Sequence, residues 1–462
     1  MYIPAPIVKS GFFFTPTDPT VKHPGTLTIS EGGRAELEIT TSKIAFTAWN
    51  VRTIGRLIGE VEGGFVTLED CAYRKLSLST GTPSKSTITA STVFDGIGFT
   101  STPLFTSLDF CIDGLTEWLD NSAFNIVLGN SLEDTSITIC TRDKIEFLLP
   151  METKFEIKIQ IKVPGRVNYP TIELFQQAYI TLTPAKPETI EFFQKLCHQI
   201  TRFFSFSIGK TVSIHSMRAT CDAEDLPYPQ NLVDLYFRSL NGSTKTDFSR
   251  YDMLLCHKDL GSRFPLLLSS WLNNYEHLKP ALHHHYAVQD NSHLYADTKF
   301  LAIAQAIEAL HRRTHSTTKW PKDEYKNKIA SILDSCPKNE REWLNSKLAH
   351  GNEITLAERI HHLIDKFHEI FGGEQKTHQI VRGMVNTRNY HAHYDPKGES
   401  KALKDAPLIG LIYNLRALFV FSLLIHLGYT VDEVTKLSKS PYLNKMISIG
   451  RNNLSASKPD TN

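Results

Sequence analysis

None of the seven cysteines (Cys71, Cys111, Cys140, Cys197, Cys221, Cys256 and Cys336) stands in a CxxC pair, and their odd, scattered spacing suits neither a disulfide framework nor a zinc site. Reduced thiols in a cytoplasmic protein are the expectation. No HExxH occurs in the chain, which removes the commonest zinc-hydrolase signature. An excess of one charge is also missing: 50 Lys+Arg stand against 49 Asp+Glu, so net charge selects neither for nor against a polyanionic partner. The tilt from residue 290 onward, 24 Lys+Arg to 19 Asp+Glu, is small and compatible with RNA contact there. Met1 to Phe14 contains no basic segment followed by an apolar run, so no signal peptide is expected. The most apolar stretch, Ala417 to Ile425, is nine residues long, whereas a bilayer span needs about 20. A buried core helix and no membrane association are expected from it.

What the 462 residues do hold is 41% hydrophobic and 21% charged side chains, enough for two or three globular domains. Residues 1–185 are rich in Thr, Ser, Val, Ile and Phe, broken often by Gly and Pro. Leu27 to Ser30 and Ala35 to Ile39 flank Gly32-Gly33 and read as a hairpin. Further strands are expected at Gly64–Leu68, Ser86–Thr89, Ser136–Cys140, Phe155–Val163 and Gln177–Leu182; Phe155–Val163 alternates most clearly. Many short strands with turn signals predict a sandwich or barrel. Residues 186–290 read as a mixed connecting region, with helical spacing at Pro187–Thr201 and at Leu266–His277 behind Pro265.

Residues 291–462 turn helical. Phe300, Ile303, Ala304, Ile307 and Leu310 recur on one face, as do Leu356, Ile360, Leu363, Ile364, Phe367, Ile370 and Phe371 before Gly372-Gly373. Shorter helices are expected at Glu324–Cys336 and Glu340–His350, a further one at Thr377–His391, and a long, mostly buried one from Ala406 to Leu427. The expected fold class is therefore α+β, a β-rich N-terminal domain followed by an all-α helical bundle.

Within the bundle, Arg388-Asn389-Tyr390-His391-Ala392-His393 gathers an Arg, an amide and two His into six residues. Metal-free RNA cleavage needs such groups: a base for the ribose 2′-hydroxyl, a cation for the phosphate and an acid for the leaving 5′-oxygen. Histidine ionises near neutral pH, and the arginine fork bonds two phosphate oxygens at once. Asn389 and His393 are four apart and share a helix face; Arg388 and His393 are five apart, about 140° around the axis. Either the Arg388 side chain curls back, or the helix ends before His393, which the following Asp395-Pro396 favours. The same Arg-to-His spacing occurs from Arg250 to His257, without the Asn.

Arg388 to His393 resembles the RNxxxH signature of HEPN domains. The opening helix Phe300 to Leu310 is similar to that of the ApeA-like HEPN subgroup, and Pro24 to Ile29 and Leu115 to Leu119 resemble the ApeA N-terminal domain. The resemblance implies a metal-independent endoribonuclease effector of bacterial anti-phage defence by abortive infection. It implies a homodimer or higher oligomer with two motifs around one cleft, no cofactor, and products with 2′,3′-cyclic phosphate and 5′-hydroxyl ends. Arg388 would bind and polarise the phosphate, His393 act as base or acid, and Asn389 orient His393 or the substrate. A transfer RNA is one candidate substrate, and a phage-derived trigger acting on the N-terminal domain would release a nuclease that is otherwise restrained.

His391 and Tyr394 are extra polar groups beside the motif, with a solvated or capping side chain the plainer role for His391. Glu308 is either an acid facing an Arg or a simple structural ion pair. Two other functions compete. One is a non-catalytic RNA-binding or sensor module using the bundle for dimerisation. The other is a metal hydrolase built on Glu358, His361, His362 and Asp365 or on His283-His284-His285; the first set also fits the polar face of an amphipathic helix, and three adjacent histidines do not converge on one side.

Overall fold

The structure, a computed structural model, describes all residues except 2, 42–45, 47–51, 78–82, 132, 163–172, 222–231, 241–246, 292, 395 and 455–462. Val163, at the end of one expected strand, Asp395, and the polar tail after Leu454 lie outside the described residues. The chain divides into two compact units, Met1–Leu272 and Asn273–Asn462.

Six strands of the first unit fall within the first ninety residues: β1 (Ile7–Thr15), β2 (Asp18–Ser30), β3 (Arg34–Thr41), β4 (Thr53–Val61), β5 (Gly64–Lys75) and β6 (Ser84–Ala90). They pair antiparallel in the order β5-β4-β1-β2-β3-β6, and β6 pairs back onto β5, which closes a barrel. Alternation drives the closure, because residues two apart share a face. Leu27 and Ile29, Leu37 and Ile39, and Leu57, Val66, Leu68 and Ile88 are all fully or almost fully buried. The expected β2–β3 hairpin forms, with Ser30 opposite Arg34.

Among the described residues nine more strands follow: β7 (Thr92–Asp95), β8 (Phe105–Ile112), β9 (Phe124–Val127), β10 (Ser136–Ile139), β11 (Ile145–Leu149), β12 (Thr153–Lys162), β13 (Phe175–Pro184), β14 (Ile214–Cys221) and β15 (Leu232–Phe237). All but β9 and β10, which form a separate ribbon, extend the barrel wall in the order β7-β15-β14-β8-β13-β12-β11. The branch point is β5. Its Val66–Glu69 segment pairs with β7 and its Ala72–Lys75 segment with β6. Asp70 stands at the division with φ +51°, a left-handed conformation that Asp tolerates better than most side chains, and Ser91 Oγ donates to its carboxylate at 2.7 Å. Thus residues 186–290 place β14 and β15 in the same sheet as the strands before residue 185.

Helices α1 (Leu115–Leu119), α2 (Ile190–Ile208) and α3 (His257–Leu260) accompany this sheet, and α4 (Phe264–Asp290) runs through the division between the units. Trp118 of α1 is fully buried, with its Nε1 donating to Ser207 Oγ of α2 at 2.9 Å and its ring edge-on to Phe204 and Phe264.

The second unit adds α5 (Ala296–Thr314), α6 (Lys322–Asp334), α7 (Arg341–Leu348), α8 (Leu356–Ile364), α9 (His368–Phe371), α10 (Glu374–His393), α11 (Pro396–Glu399), α12 (Asp405–His426), α13 (Val431–Leu437) and α14 (Pro441–Leu454). The stripe from Leu356 to Phe371 is not one helix, since a 3-10 turn at Asp365–Phe367 separates α8 from α9. Two further helices, α13 and α14, follow the long apolar helix α12. By length and composition α12 could cross a membrane, yet 78% of its most apolar stretch is buried inside the protein.

Gly410 of α12 and Gly450 of α14 let these two helices touch backbone to backbone. A Cβ on Gly410 would lie 2.5 Å from the Leu454 nitrogen and 2.9 Å from the Gly450 oxygen. Gly410→Val is therefore expected to cost about 1–3 kcal/mol, the usual penalty of overpacking. Hydrogen exchange should show the amides of α14 losing protection before those of α5; unchanged protection of residues 441–454 would refute the close contact.

Candidate active site

Gly372 and Gly373, with φ of +97° and +93°, end one helix and α10 begins at Glu374. Its buried stripe is Thr377, Ile380, Val381, Met384, Thr387 and His391, at three- and four-residue spacing. That stripe fixes what the helix shows to solvent. Asn389 and His393 fall on its exposed side, one turn apart. The helix stops at Tyr394, whose φ is +48° and whose N–H donates to the Tyr390 oxygen at 2.6 Å. The expectation that it ends before His393 is therefore corrected: His393 is its last residue, and the chain turns only afterwards.

Asn389 and His393 line a cleft of about 520 Å³ with Asn386, Tyr390, Lys397, Gly398 and Lys401. No carboxylate is among the described residues lining it. Arg388 is not in this lining. As five-residue spacing dictates, it points elsewhere, to α5, where its Nη2 is 3.9 Å from Glu308 Oε2. Its Nη1 donates to Asn389 Oδ1 at 3.4 Å, a long bond that joins the two faces. Glu308 is shared, accepting from Arg312 Nε at 3.2 Å.

His391 is set apart from the cleft. It is buried, with Nε2 3.6 Å from Asp297 Oδ1, its ring near Phe300 and Tyr394, and no hydrogen-bond partner for Nδ1. Tyr394 is 64% exposed, with its ring edge-on to Tyr390. Sequence reasoning missed Lys397 and Lys401. The signal was present, since positions 389, 393, 397 and 401 repeat every four residues, but Pro396 interrupts the helix that would make the repeat meaningful.

The histidine-rich stretches do other work. Glu358 is held in a capping box by Thr355, and His361 Nδ1 pairs with Asp365 at 2.9 Å. His362 Nδ1 lies 3.3 Å from His311 Nε2. His285 is buried and stacked 4.5 Å from the Phe419 ring. Among the described residues no three His, Cys, Asp or Glu side chains are grouped so as to hold a metal ion. Arg250 pairs with Asp120 and His257 sits beside Trp118, so the second Arg-to-His pair is held by separate partners. The fully buried His311 is a distinct feature. Burial pulls its pKa down from 6.5 to about 4, and the neighbouring His315, Arg359, His362 and Arg312 add to the shift.

Residues 9–271 match the family model of ApeA N-terminal domain 1, and residues 301–433 match that of the Apea-like HEPN domain. No curated protein and no solved structure matches the chain. The first match alone spans more than half of the sequence, and the chain belongs to the ApeA family, joining an ApeA N-terminal domain 1 to an Apea-like HEPN domain.

Proposed function

We propose that the protein is a metal-independent endoribonuclease effector of anti-phage defence, with the α10 cleft as its active site. The observation that supports this best is the pairing of Asn389 and His393 in a cleft lined by two lysines and no described carboxylate, as a polyanionic substrate requires. In this reading His393 takes the proton from a ribose 2′-hydroxyl. The 2′-oxygen bonds to phosphorus, the bond to the 5′-oxygen breaks, and that oxygen receives a proton. The products are a 2′,3′-cyclic phosphate and a 5′-hydroxyl. Asn389 orients His393 or the substrate. Arg388 swings from Glu308 to the phosphate, where its fork balances the growing charge. Glu308 holds Arg388 ready between turnovers. The first unit, residues 1–185 with the strands that complete its sheet, is the sensor of a phage-derived trigger, and the working form is a homodimer acting on RNA such as a transfer RNA.

The side chain of Arg388, turned to Glu308 and away from the cleft, favours a second reading: a non-catalytic RNA-binding module. One experiment separates the two. Purified protein and its His393→Ala variant are incubated with total bacterial RNA in EDTA, and the cut ends are mapped. Cleavage by the wild type alone, with cyclic-phosphate ends, is expected. RNA binding by both with cleavage by neither, also in protein recovered from phage-infected cells, would support the module instead, and equal cleavage by both would place the chemistry elsewhere.

A further inference from the structure

We propose that Lys397 and Lys401 form a phosphate clamp that holds the RNA backbone across His393, acting in binding and not in the bond-breaking step. This deepens, and rests on, the RNA-cleaving reading of the same cleft. Three observations support it. Both lysines are exposed, and both line the cleft with Asn389 and His393. The segment that bears them is fastened. Leu403 N–H donates to the buried Thr387 hydroxyl at 3.0 Å, and a Cβ on Gly383 would lie 2.9 Å from Leu403 Cδ1 and one on Gly398 3.8 Å from Tyr390 Cβ, so the segment lies close along α10. The one carboxylate described on that segment, Glu399, is paired with Lys404 at 2.8 Å.

The larger cleft of the first unit gives a contrast. It measures about 1150 Å³, and its charged lining sets Arg34, Arg56 and Arg238 against Glu31, Glu69, Asp70 and Glu191. Such a mixture offers a polyanion nothing on balance. The small cleft at the end of α10 is the one whose described charges are all cationic, and its cations sit on a fold-back that fixes their position. Lysine suits a sequence-blind phosphate contact, being a compact charge that sets position without reading bases.

The test uses the full chain and a labelled oligoribonucleotide of mixed sequence. Binding is titrated in a His393→Ala background from about 50 to about 200 mM salt, where each phosphate contact on a single strand contributes a slope of about 0.7 in log affinity against log salt. Lys397→Gln with Lys401→Gln is expected to lower that slope by about 1.4 in all, and the double Lys→Arg variant is expected to restore it. With His393 present, the double Gln variant should show a raised KM, with kcat in the wild-type range. An unchanged slope and KM would overturn the clamp. So would a collapse of kcat at unchanged KM, which would move the lysines into the chemistry. The clamp and the cleavage reading fail separately: if the wild type cuts nothing while the slope still falls, the clamp stands.

Discussion

His393→Ala is expected to slow RNA cleavage by about 10²–10⁴-fold, the range that one positioned proton-transfer group supplies. The substitution removes an exposed side chain from the last residue of α10. The left-handed Tyr394 that ends the helix and the buried stripe from Thr377 to His391 are untouched, so the fold should persist. Arg388→Ala is expected to be nearly as damaging, about 10²–10³-fold, because the phosphate charge loses its bidentate partner. The two losses should differ in kind. Loss of His393 should flatten the pH–rate profile, whereas loss of Arg388 should lower the rate at every pH. Single-turnover cleavage of a labelled RNA across pH reads both. Wild-type rates in either variant would remove that residue from the site, and toxicity in cells should follow the same order.

A second large effect concerns pH and stability. The folded chain keeps His311 neutral down to about pH 4, whereas an unfolded histidine takes up its proton near 6.5. Between those values unfolding binds a proton, so acid favours the unfolded state, and stability is fully present only above about pH 6.5. The gap is worth about 3 kcal/mol for a buried group. The groups facing His311 explain why the folded state does not accommodate the charge. His315 is stacked on it at 4.7 Å, His362 is hydrogen-bonded to its Nε2, and the buried Arg359 lies 3.5 Å from its Nδ1. The acids of this network are already taken, Glu353 shared by Arg312 and Arg359 and Glu308 paired with Arg312. Urea unfolding at pH 7.5 and at pH 5, followed by exchange of the α5 amides, should show about 2 kcal/mol of that loss, the rest following below pH 5. His311→Leu should remove most of it; an equal pH slope in that variant would assign the effect to other groups.

Much of this fold was legible where the pattern was local. Phe155 to Lys162 alternates, and it is β12; the Gly-Gly turn announced the β2–β3 hairpin; the stripe from Phe300 to Leu310 is the buried face of α5. What the sequence hid was non-local. Barrel closure depends on Ala72, Tyr73 and Lys75 of β5 meeting β6, a pairing that no short-range periodicity encodes. β1 was missed because the run Gly11-Phe12-Phe13-Phe14 obscures its alternation. β14 and β15 were missed because their partners β8 and β7 lie far back in the chain. At the site, helix geometry correctly separated Arg388 from His393. The sequence raised Glu308 as an acid facing an Arg but could not say which arginine, since the contact joins two helices eighty residues apart.

The division of β5 between β6 and β7 also orders events on the ribosome. All six barrel strands are made within the first ninety residues, and the ring can close as soon as they emerge. The other arm waits: β7 ends at Asp95 and β15, which pairs with it, is finished at Phe237. At about 5–20 residues per second that is a delay of roughly 7–30 s, during which β7 has only β5 for support. The sheet is complete before any of the helices α5 to α14 has been translated. If the first unit restrains the second, the restraint is folded before there is a nuclease to restrain, and no nascent chain exposes α10 without it.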